Sequence, residues 1–226
     1  MPLVNSSKPT TTFANSTKSS GAELWSTITT TWATETRTWL ATLGNIDNEE
    51  RTFLNASYEG TDDGLWDTYE QYPMVTQSFA AQTGVLHSAT FSMNTEGNPT
   101  GEMNAVLYAH SGVFGTSSVP TGPALAVSDP LALPSISSGT KTEVTFYFTG
   151  ADRVCLTGGT NYCVGFRYLG GDTTDKIRSY IQFVGPSSNG NMSEYAVGPG
   201  WYSLVPRDLY FKLYTTTGLT NINKPS

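Results

Sequence analysis

Aromatic residues are the part of this sequence best suited to recognition chemistry. Four of them, Tyr180, Tyr195, Trp201 and Tyr202, lie on or near the stretch NMSEYAVGPGWYSL, whose Gly and Pro residues predict a loop. Aromatic rings on a loop can stack on a sugar ring or on a neighbouring subunit. Alternatively, Trp201 fills the end of the domain core. The four residues are therefore candidates for a ligand-binding surface.

A second aromatic group precedes the main domain. Trp25, Trp32 and Trp39 are spaced seven residues apart in a chain with five tryptophans. A seven-residue interval returns to one face of a helix, and Ile28 extends the apolar stripe on that face. The intervening threonines and the alternating TETRTW favour a strand instead. Residues 23–43 are therefore either helix or strand. Three indoles offer more apolar surface than so short a segment can bury on itself. The tryptophans either cap the edge of the domain core or form an assembly interface together with Ile28. The candidate interface residues are Trp25, Ile28, Trp32 and Trp39.

The two chain ends resemble each other. LVNSSKPT at residues 3–10 recurs as LTNINKPS at residues 219–226. Such polar segments cannot bury enough apolar surface to fold alone, so we expect them to be extended or disordered unless a partner holds them. Lys8, Pro9, Lys224 and Pro225 are therefore further candidates for assembly contacts.

The sequence has no recognisable catalytic motif. It has no GxSxG, no HExxH, no glycine-rich phosphate loop and no supported Cys/His pair, so we predict no enzyme and no cofactor. Carboxylates in DDGLWDTYEQY could ligate calcium but lack the spacing of an EF-hand loop. We interpret them as the solvated start of the first strand and predict no metal; they are Asp62, Asp63, Asp67 and Glu70. Paired carboxylates of a glycosidase meet only in space, which leaves a glycoside-cleaving enzyme as a less favoured alternative.

Cys155 and Cys163 are the only cysteines of the chain. If the intervening GGT is the tip of a hairpin, the two lie directly opposite each other, and a cross-strand disulfide is sterically allowed. The alternative is two small core or surface thiols, which a cytoplasmic origin would keep reduced.

Charge and hydropathy restrict the partners. The net charge of −7 and the lack of a basic stripe argue against nucleic acid, which needs clustered Lys and Arg. MPLVNSSKPTTTF lacks the pattern of a secretory signal, and no later run approaches a membrane span, so we expect no membrane association. The Thr- and Gly-rich, Lys-poor composition is nevertheless typical of proteins that work outside cells. A virion protein made in the host cytoplasm and released by lysis fits both observations; an intracellular protein, or a piece of a longer secreted chain, also fits.

From about Trp66 onwards, short strands separated by turn signals predict an antiparallel β-sandwich. Residues 85–93 alternate, with Val85, His87, Ala89, Phe91 and Met93 on one face. Three further strands are predicted to have one apolar face each, formed by Val144, Phe146 and Phe148, by Tyr162, Val164, Phe166 and Tyr168, and by Leu209, Phe211 and Leu213. Residues 111–141 are predicted to be a long loop, and GNIDNEERTFLN at 44–55 a polar linker.

This pattern resembles a known module. QSFAAQTGVLHSATFSMNTEGNPTGEMNAVLYAHSG, PTGPALAVSD, EVTFYFTGADRVCLTGGTNYCVGFRYLGGD and DLYFKLY occur in the order found in jelly-roll modules of bacterial surface proteins and of phage structural proteins. The resemblance covers about residues 75–214. Asn98 departs from the small residue usual before Pro-Thr-Gly, and the cysteines lie outside the pattern. The block SKPTTTFANSTKSSGAELWSTITTTWATETRTWL is similar to leaders of uncharacterised phage virion proteins.

The resemblance implies an all-β jelly roll with an extended N-terminal arm and a Trp-rich assembly segment. We predict an arm at 1–20, the Trp-rich segment and linker at 21–60, the sandwich at 61–215 and a tail at 216–226. The implied function is a bacteriophage virion structural protein, either capsid decoration or a tail or fibre component. Its partners would be other virion proteins, copies of itself and a host surface glycan. A carbohydrate- or receptor-binding adhesion module is the alternative.

Overall fold

The computed structural model describes residues 51–60, 64–183 and 190–216. The chain divides into two units, residues 1–49 and 50–226, and every described residue belongs to the second. In the described ranges the regular elements are β-strands and two short 3-10 helices, Leu133–Ser135 and Gly150–Asp152. The strands, in chain order, are β1 (Thr52–Tyr58), β2 (Gly64–Thr68), β3 (Met74–Ala80), β4 (Gly84–Glu96), β5 (Glu102–Ser111), β6 (Val119–Val127), β7 (Leu131–Ala132), β8 (Thr142–Tyr147), β9 (Cys155–Leu156), β10 (Asn161–Tyr168), β11 (Lys176–Gln182), β12 (Met192–Ala196), β13 (Gly200–Leu204), β14 (Asp208–Leu209) and β15 (Phe211–Thr216).

The strands form two antiparallel sheets. Sheet one has the order β1-β15-β4-β11-β14, with β2 on β11 and with β8 and β9 on β4. Sheet two has the order β13-β12-β3-β10-β5-β6, with β7 on β5. The chain crosses between the sheets at most connections, as from β3 to β4 and from β4 to β5, which is the kind of connectivity that jelly rolls have. The predicted antiparallel β-sandwich is confirmed.

The core lies between the inner faces of the two sheets. The apolar faces predicted around Phe146, Phe166 and Phe211 all point into it, and Tyr162 packs against it from a partly buried position. Aromatic contacts connect the sheets: the ring of Phe91 in β4 lies 5.4 Å from that of Phe166 in β10, and the ring of Phe211 in β15 lies 6.1 Å from that of Phe79 in β3. The alternation of side chains along each strand is sufficient to produce this arrangement.

A register shift changes the alternation at the start of β4. Tyr214 of β15 pairs with Ser88, but its neighbour Thr215 pairs with Leu86, so His87 is the extra residue of a bulge. As a result Leu86 is fully buried in the core, while His87 and Val85 are only partly buried. The sequence alternation placed Leu86 on the opposite face from Ala89, and the bulge is the reason that this was wrong.

The predicted linker at 44–55 is wrong at its end, because Thr52–Tyr58 is strand β1, paired with β15. The strand has a bulge at Asn55, whose buried side chain is held by three hydrogen bonds. Its Nδ2 donates to Gln82 O at 2.7 Å and to Thr215 Oγ1 at 3.1 Å, and its Oδ1 accepts from Gln82 N at 3.0 Å. The bulge interrupts the alternation that would have identified a strand.

The loop predicted at 111–141 is also partly wrong. Val119–Val127 forms β6, which pairs with β5 at both its ends. Between those ends the register shifts, since Leu107 pairs with Ala126 and Ala109 pairs with Thr121. The residues of β6 between its two paired ends include Gly122 and Pro123, which indicated a loop in the sequence.

The two cysteines do not face each other. Cys155 lies in β9 and pairs with Val85 in sheet one, whereas Cys163 lies in β10 of sheet two. The turn between them, closed by a 3.1 Å hydrogen bond from Thr160 N to Thr157 O, separates the strands into different sheets instead of forming a hairpin. Both thiols are free, Cys155 exposed and Cys163 buried. The predicted opposite pairing is therefore wrong, and the two-thiol alternative describes the structure.

The chain enters and leaves the sandwich at one end. Thr52 at the start of β1 pairs with Thr216 at the end of β15, and Thr216 pairs with Val85 near the start of β4. The other end of β4, at Glu96, pairs with Lys176 of β11. Since β4 has 13 residues, these two ends lie about 40 Å apart.

Candidate ligand-binding site

The four predicted surface aromatics do not form one surface. Tyr180 is in β11 of sheet one, where its hydroxyl accepts a hydrogen bond from Asn94 Nδ2 at 3.0 Å and Lys141 Nζ lies 4.8 Å from its ring centre. The other three are on the β12–β13 hairpin at the edge of sheet two. There Tyr195 is paired with Trp201, and Tyr202 follows on the opposite face of the strand.

Trp201 packs on the outer face of sheet two. Its ring lies 5.4 Å from that of Tyr195 and 5.8 Å from that of Tyr108. Trp201 joins a small apolar cluster built on Val106, Tyr108 and Cys163 and completed by Ala124 and Val127 of β6. This is a packing role, but in a cluster separate from the main core, and not at the end of the core as the alternative for Trp201 had it.

Tyr202 lies in a different environment, an open cleft of about 380 Å³. The cleft occurs where β2, an edge strand of sheet one, faces the β12–β13 hairpin at the edge of sheet two. We call it the aromatic cleft and define it by its lining residues, Leu65, Trp66, Asp67, Tyr69, Tyr72, Glu194 and Tyr202. It lies at the Glu96 end of the sandwich, because Thr68 at the end of β2 pairs with Ile177, next to Lys176.

A tight turn positions two of the rings. Tyr69 and Tyr72 exchange backbone hydrogen bonds of 3.3 and 2.8 Å, and their rings meet edge to face with centres 5.5 Å apart. Pro73 follows and restricts Tyr72 to extended backbone, so the chain leaves the turn directly into β3. The amide of Val197 donates to Gln71 O at 3.0 Å, which ties this turn to the β12–β13 turn.

Glu194 is the polar centre of the cleft. Only 3% of the residue is exposed, and each carboxylate oxygen has a donor: Trp66 Nε1 donates to Oε1 at 2.6 Å, and the Tyr202 hydroxyl donates to Oε2. Burial raises the pKa of Glu194 above its ordinary value, although the two hydrogen bonds and the nearby Arg207 act in the opposite direction. A buried carboxylate held at both oxygens has a fixed orientation.

The charges around the cleft are paired. The guanidinium carbon of Arg207 lies 4.3 Å from the ring centre of Trp66, so this cation covers one face of the indole. Asp67 accepts from Lys176 Nζ at 2.8 Å and lies 3.4 Å from Arg178 Nε. Glu96 pairs with the same two cations. Three cations therefore balance the carboxylates of Asp67, Glu96 and Glu194.

The acidic stretch DDGLWDTYEQY is brought only partly into this site. Asp67 lines the cleft, Glu70 is exposed, and Asp62 and Asp63 lie outside the described residues. Within the described ranges no group of three or more His, Cys, Asp or Glu side chains is placed to hold a metal ion. The aromatic residues Trp66, Tyr69 and Tyr72 of this stretch were a sequence signal for the cleft. The sequence analysis missed this signal because it considered only the carboxylates of the stretch.

Glu194 had no comparable signal in the sequence. Its partner Trp66 is 128 residues away and belongs to the other sheet. The predicted assembly residues Trp25, Ile28, Trp32, Trp39, Lys8, Pro9, Lys224 and Pro225 lie outside the described part of the chain. In the part that is described, no helix has the length and apolar character needed to cross a membrane.

Neither a protein-family model nor a curated protein matches the sequence. Two solved structures are similar in chain path. One contains the cysteine protease and lectin-like domains of Cwp84, a surface layer associated protein of Clostridium difficile, with a TM-score of 0.41, 12% identity and 72% of this chain covered. The other is the structure of infectious bursal disease virus Gt strain, with a TM-score of 0.32, 12% identity and 75% covered.

This chain spans 37% and 42% of the length of those two chains. Similarity at this level says nothing about function. The fold described above rests on the strand pairing of this chain alone.

Proposed function

We propose that this chain is a non-enzymatic bacteriophage virion structural protein, either capsid decoration or a tail or fibre component, that attaches through its terminal arms and displays the β-sandwich. The observation that carries the proposal is the pairing of Thr52 with Thr216. It places the points from which residues 1–51 and 217–226 continue side by side. The two chain segments that carry the Asn-x-x-Lys-Pro patterns are thus joined to the sandwich at neighbouring points.

The position of the aromatic cleft also supports display. It lies towards the end of the sandwich opposite to Thr52 and Thr216, about 30 Å away along β4. An attachment at the chain ends would leave this end directed away from the attached surface. Polar arms gain affinity by wrapping around partners and are ordered when they bind. The partners are other virion proteins and copies of this chain, assembled in the host cytoplasm and released by lysis.

The resemblance of residues 75–214 and of the N-terminal block to phage proteins is a further support. The non-enzymatic part of the proposal is supported by the state of the two carboxylates in the cleft. Asp67 is paired with Lys176 and Arg178, and Glu194 accepts a hydrogen bond at each oxygen, so both carboxylates have structural partners in the protein.

Deletion of residues 1–20 tests the attachment. We expect the sandwich to keep its melting temperature, because β1 begins at Thr52, and incorporation into particles to be lost. The measurement compares purified particles made with the full chain and with the deletion, by mass spectrometry of the bound protein. Incorporation at the level of the full chain would refute attachment through the N-terminal arm.

Trp32→Ala tests the Trp-rich segment separately. We expect it to weaken assembly by about 2 kcal/mol, the size of an interface hot spot, with unchanged melting of the free protein. Thr31→Ala is the matched control on the neighbouring residue and is expected to leave assembly unchanged. Loss of melting stability with intact assembly would show instead that Trp32 belongs to the domain core.

A further inference from the structure

The aromatic cleft has the size of a small-molecule site. Its volume of about 380 Å³ falls in the range of about 300–1,000 Å³ that such sites occupy. Four of its lining residues are aromatic, with Trp66 and Tyr202 on opposite sheets and Tyr69 and Tyr72 on the turn between β2 and β3. Ring faces of this kind stack on the apolar C–H faces of sugars as well as on other flat groups.

Hydrogen-bonding groups accompany the rings. No hydrogen bond from a described residue engages the hydroxyl of Tyr69 or of Tyr72, so both are available to a ligand as donor and acceptor. The carboxylate of Glu194 accepts one hydrogen bond at each oxygen from the protein, and each oxygen has a second lone pair. A ligand with several hydroxyl groups matches this mixture of flat apolar surface and fixed acceptors.

The charge balance selects against an ionic ligand. An aromatic site with carboxylates could also hold a quaternary ammonium group. Here, however, the Arg207 guanidinium already lies over the Trp66 ring at 4.3 Å, and Asp67 is neutralised by Lys176 and Arg178. A ligand cation would meet the repulsion of Arg207, and a ligand anion would meet that of Glu194. A neutral ligand avoids both.

We propose that the aromatic cleft binds a neutral saccharide, which stacks on the tyrosine rings of the β2–β3 turn and donates hydroxyl hydrogen bonds to Glu194. The proposal is for binding without cleavage, and a test for released reducing ends checks that part of it. This proposal is independent of the attachment of the chain to a virion: it concerns a site on the sandwich itself and is tested with the purified full chain.

The experiment starts with an array of neutral oligosaccharides, with choline chloride and hyaluronan oligosaccharides as the cationic and anionic comparisons. The Kd of the strongest neutral oligosaccharide is then measured by calorimetry for the full chain and for variants. We expect Tyr69→Ala and Tyr72→Ala each to raise that Kd by about tenfold, through loss of a stacking face. Tyr147→Ala is the matched control, because Tyr147 is 54% exposed and lies on β8, outside the cleft; its Kd should not change.

A spectroscopic readout keeps the proposal testable if a variant fails to fold. The indole N–H resonance of Trp66, assigned by its loss in Trp66→Phe, should shift when the oligosaccharide is added to the unmodified chain. The proposal is overturned by any of four results: no neutral oligosaccharide binds, choline or hyaluronan binds in preference, the Trp66 resonance does not move with bound sugar, or reducing ends are released. Each leaves the incorporation experiment with the 1–20 deletion unaffected, so failure of the sugar site and failure of the virion proposal are distinguishable.

Discussion

The Nε1–H group of Trp66 donates a 2.6 Å hydrogen bond to Oε1 of Glu194 and so connects β2, an edge strand of sheet one, to β12, the second strand from the edge of sheet two. Trp66 lies in β2 of sheet one, and Glu194 lies in β12 of sheet two. Sandwich edges are the places where two sheets can separate, and a hydrogen bond to a buried charge closes this edge. The contact therefore positions the aromatic cleft and also contributes to the stability of the fold.

Trp66→Phe should lower the free energy of unfolding by about 1–3 kcal/mol, because the ring is largely kept while the buried carboxylate of Glu194 loses one of its two donors. Urea unfolding followed by far-UV circular dichroism measures the change. Tyr72→Phe is the matched control in the same cleft, since the Tyr72 hydroxyl has no partner among the described residues; its cost should stay within about 0.5 kcal/mol. Equal effects of the two substitutions would show that the indole hydrogen bond does not stabilise the edge.

The raised pKa of Glu194 predicts a pH dependence of stability. The folded protein binds the Glu194 proton more tightly than the unfolded chain does, so this group's contribution to the free energy of unfolding is greatest at acidic pH. It falls as the pH rises from the ordinary value of 4.5 through the raised pKa of the folded state. The groups facing Glu194 are Tyr202, Trp66 and Arg207.

Glu194→Gln removes that titration. The difference in free energy of unfolding between the unsubstituted chain and Glu194→Gln should therefore decrease as the pH rises from about 4 to about 7. Urea titrations of both proteins at a series of pH values measure it. A difference that grows with pH would mean that the hydrogen bonds and Arg207 outweigh burial and that the pKa is lowered.

The two cysteines should differ sharply in reactivity. Cys155 is exposed, whereas Cys163 is fully buried and burial raises the pKa of its thiol to about 12. Since the thiolate is the reactive form, iodoacetamide should modify Cys155 alone in the native protein and both residues after unfolding in urea. Peptide mass spectrometry identifies the modified site. A native protein with no reactive thiol would contradict the separation of Cys155 and Cys163 into different sheets.

Asn55→Ala should destabilise the sandwich by about 2 kcal/mol, because it removes the three hydrogen bonds that hold β1 at its bulge and leaves Gln82 N without its side-chain acceptor. Ser57→Ala, at an exposed position of the same strand, is the control and should cost less than about 0.5 kcal/mol. Thermal unfolding measures both. If neither substitution changes the thermal stability, β1 does not unfold cooperatively with the sandwich, and the predicted linker would include it.

Strand faces were the part of the fold that could be predicted. Phe146, Phe166 and Phe211 each lie on a predicted apolar strand face, and all three are buried where the alternation placed them. The alternation predicted the wrong face for Leu86, and it did not identify strand β1 around Asn55. Both errors occur next to β-bulges. Of the four predicted surface aromatics, Tyr202 lines the cleft, and Tyr180, Tyr195 and Trp201 do not.

What the sequence determined by itself is local: which residues alternate, where turns interrupt them, and hence that two apolar faces must pack together as a sandwich, because a strand directs successive side chains to opposite sides. The tertiary structure decided which strands are neighbours, in which register and in which sheet. It separated Cys155 from Cys163, paired Thr52 with Thr216, and brought Trp66 to Glu194. These contacts depend on the packing of strands far apart in the chain, and residues so widely separated leave no periodic pattern in the sequence.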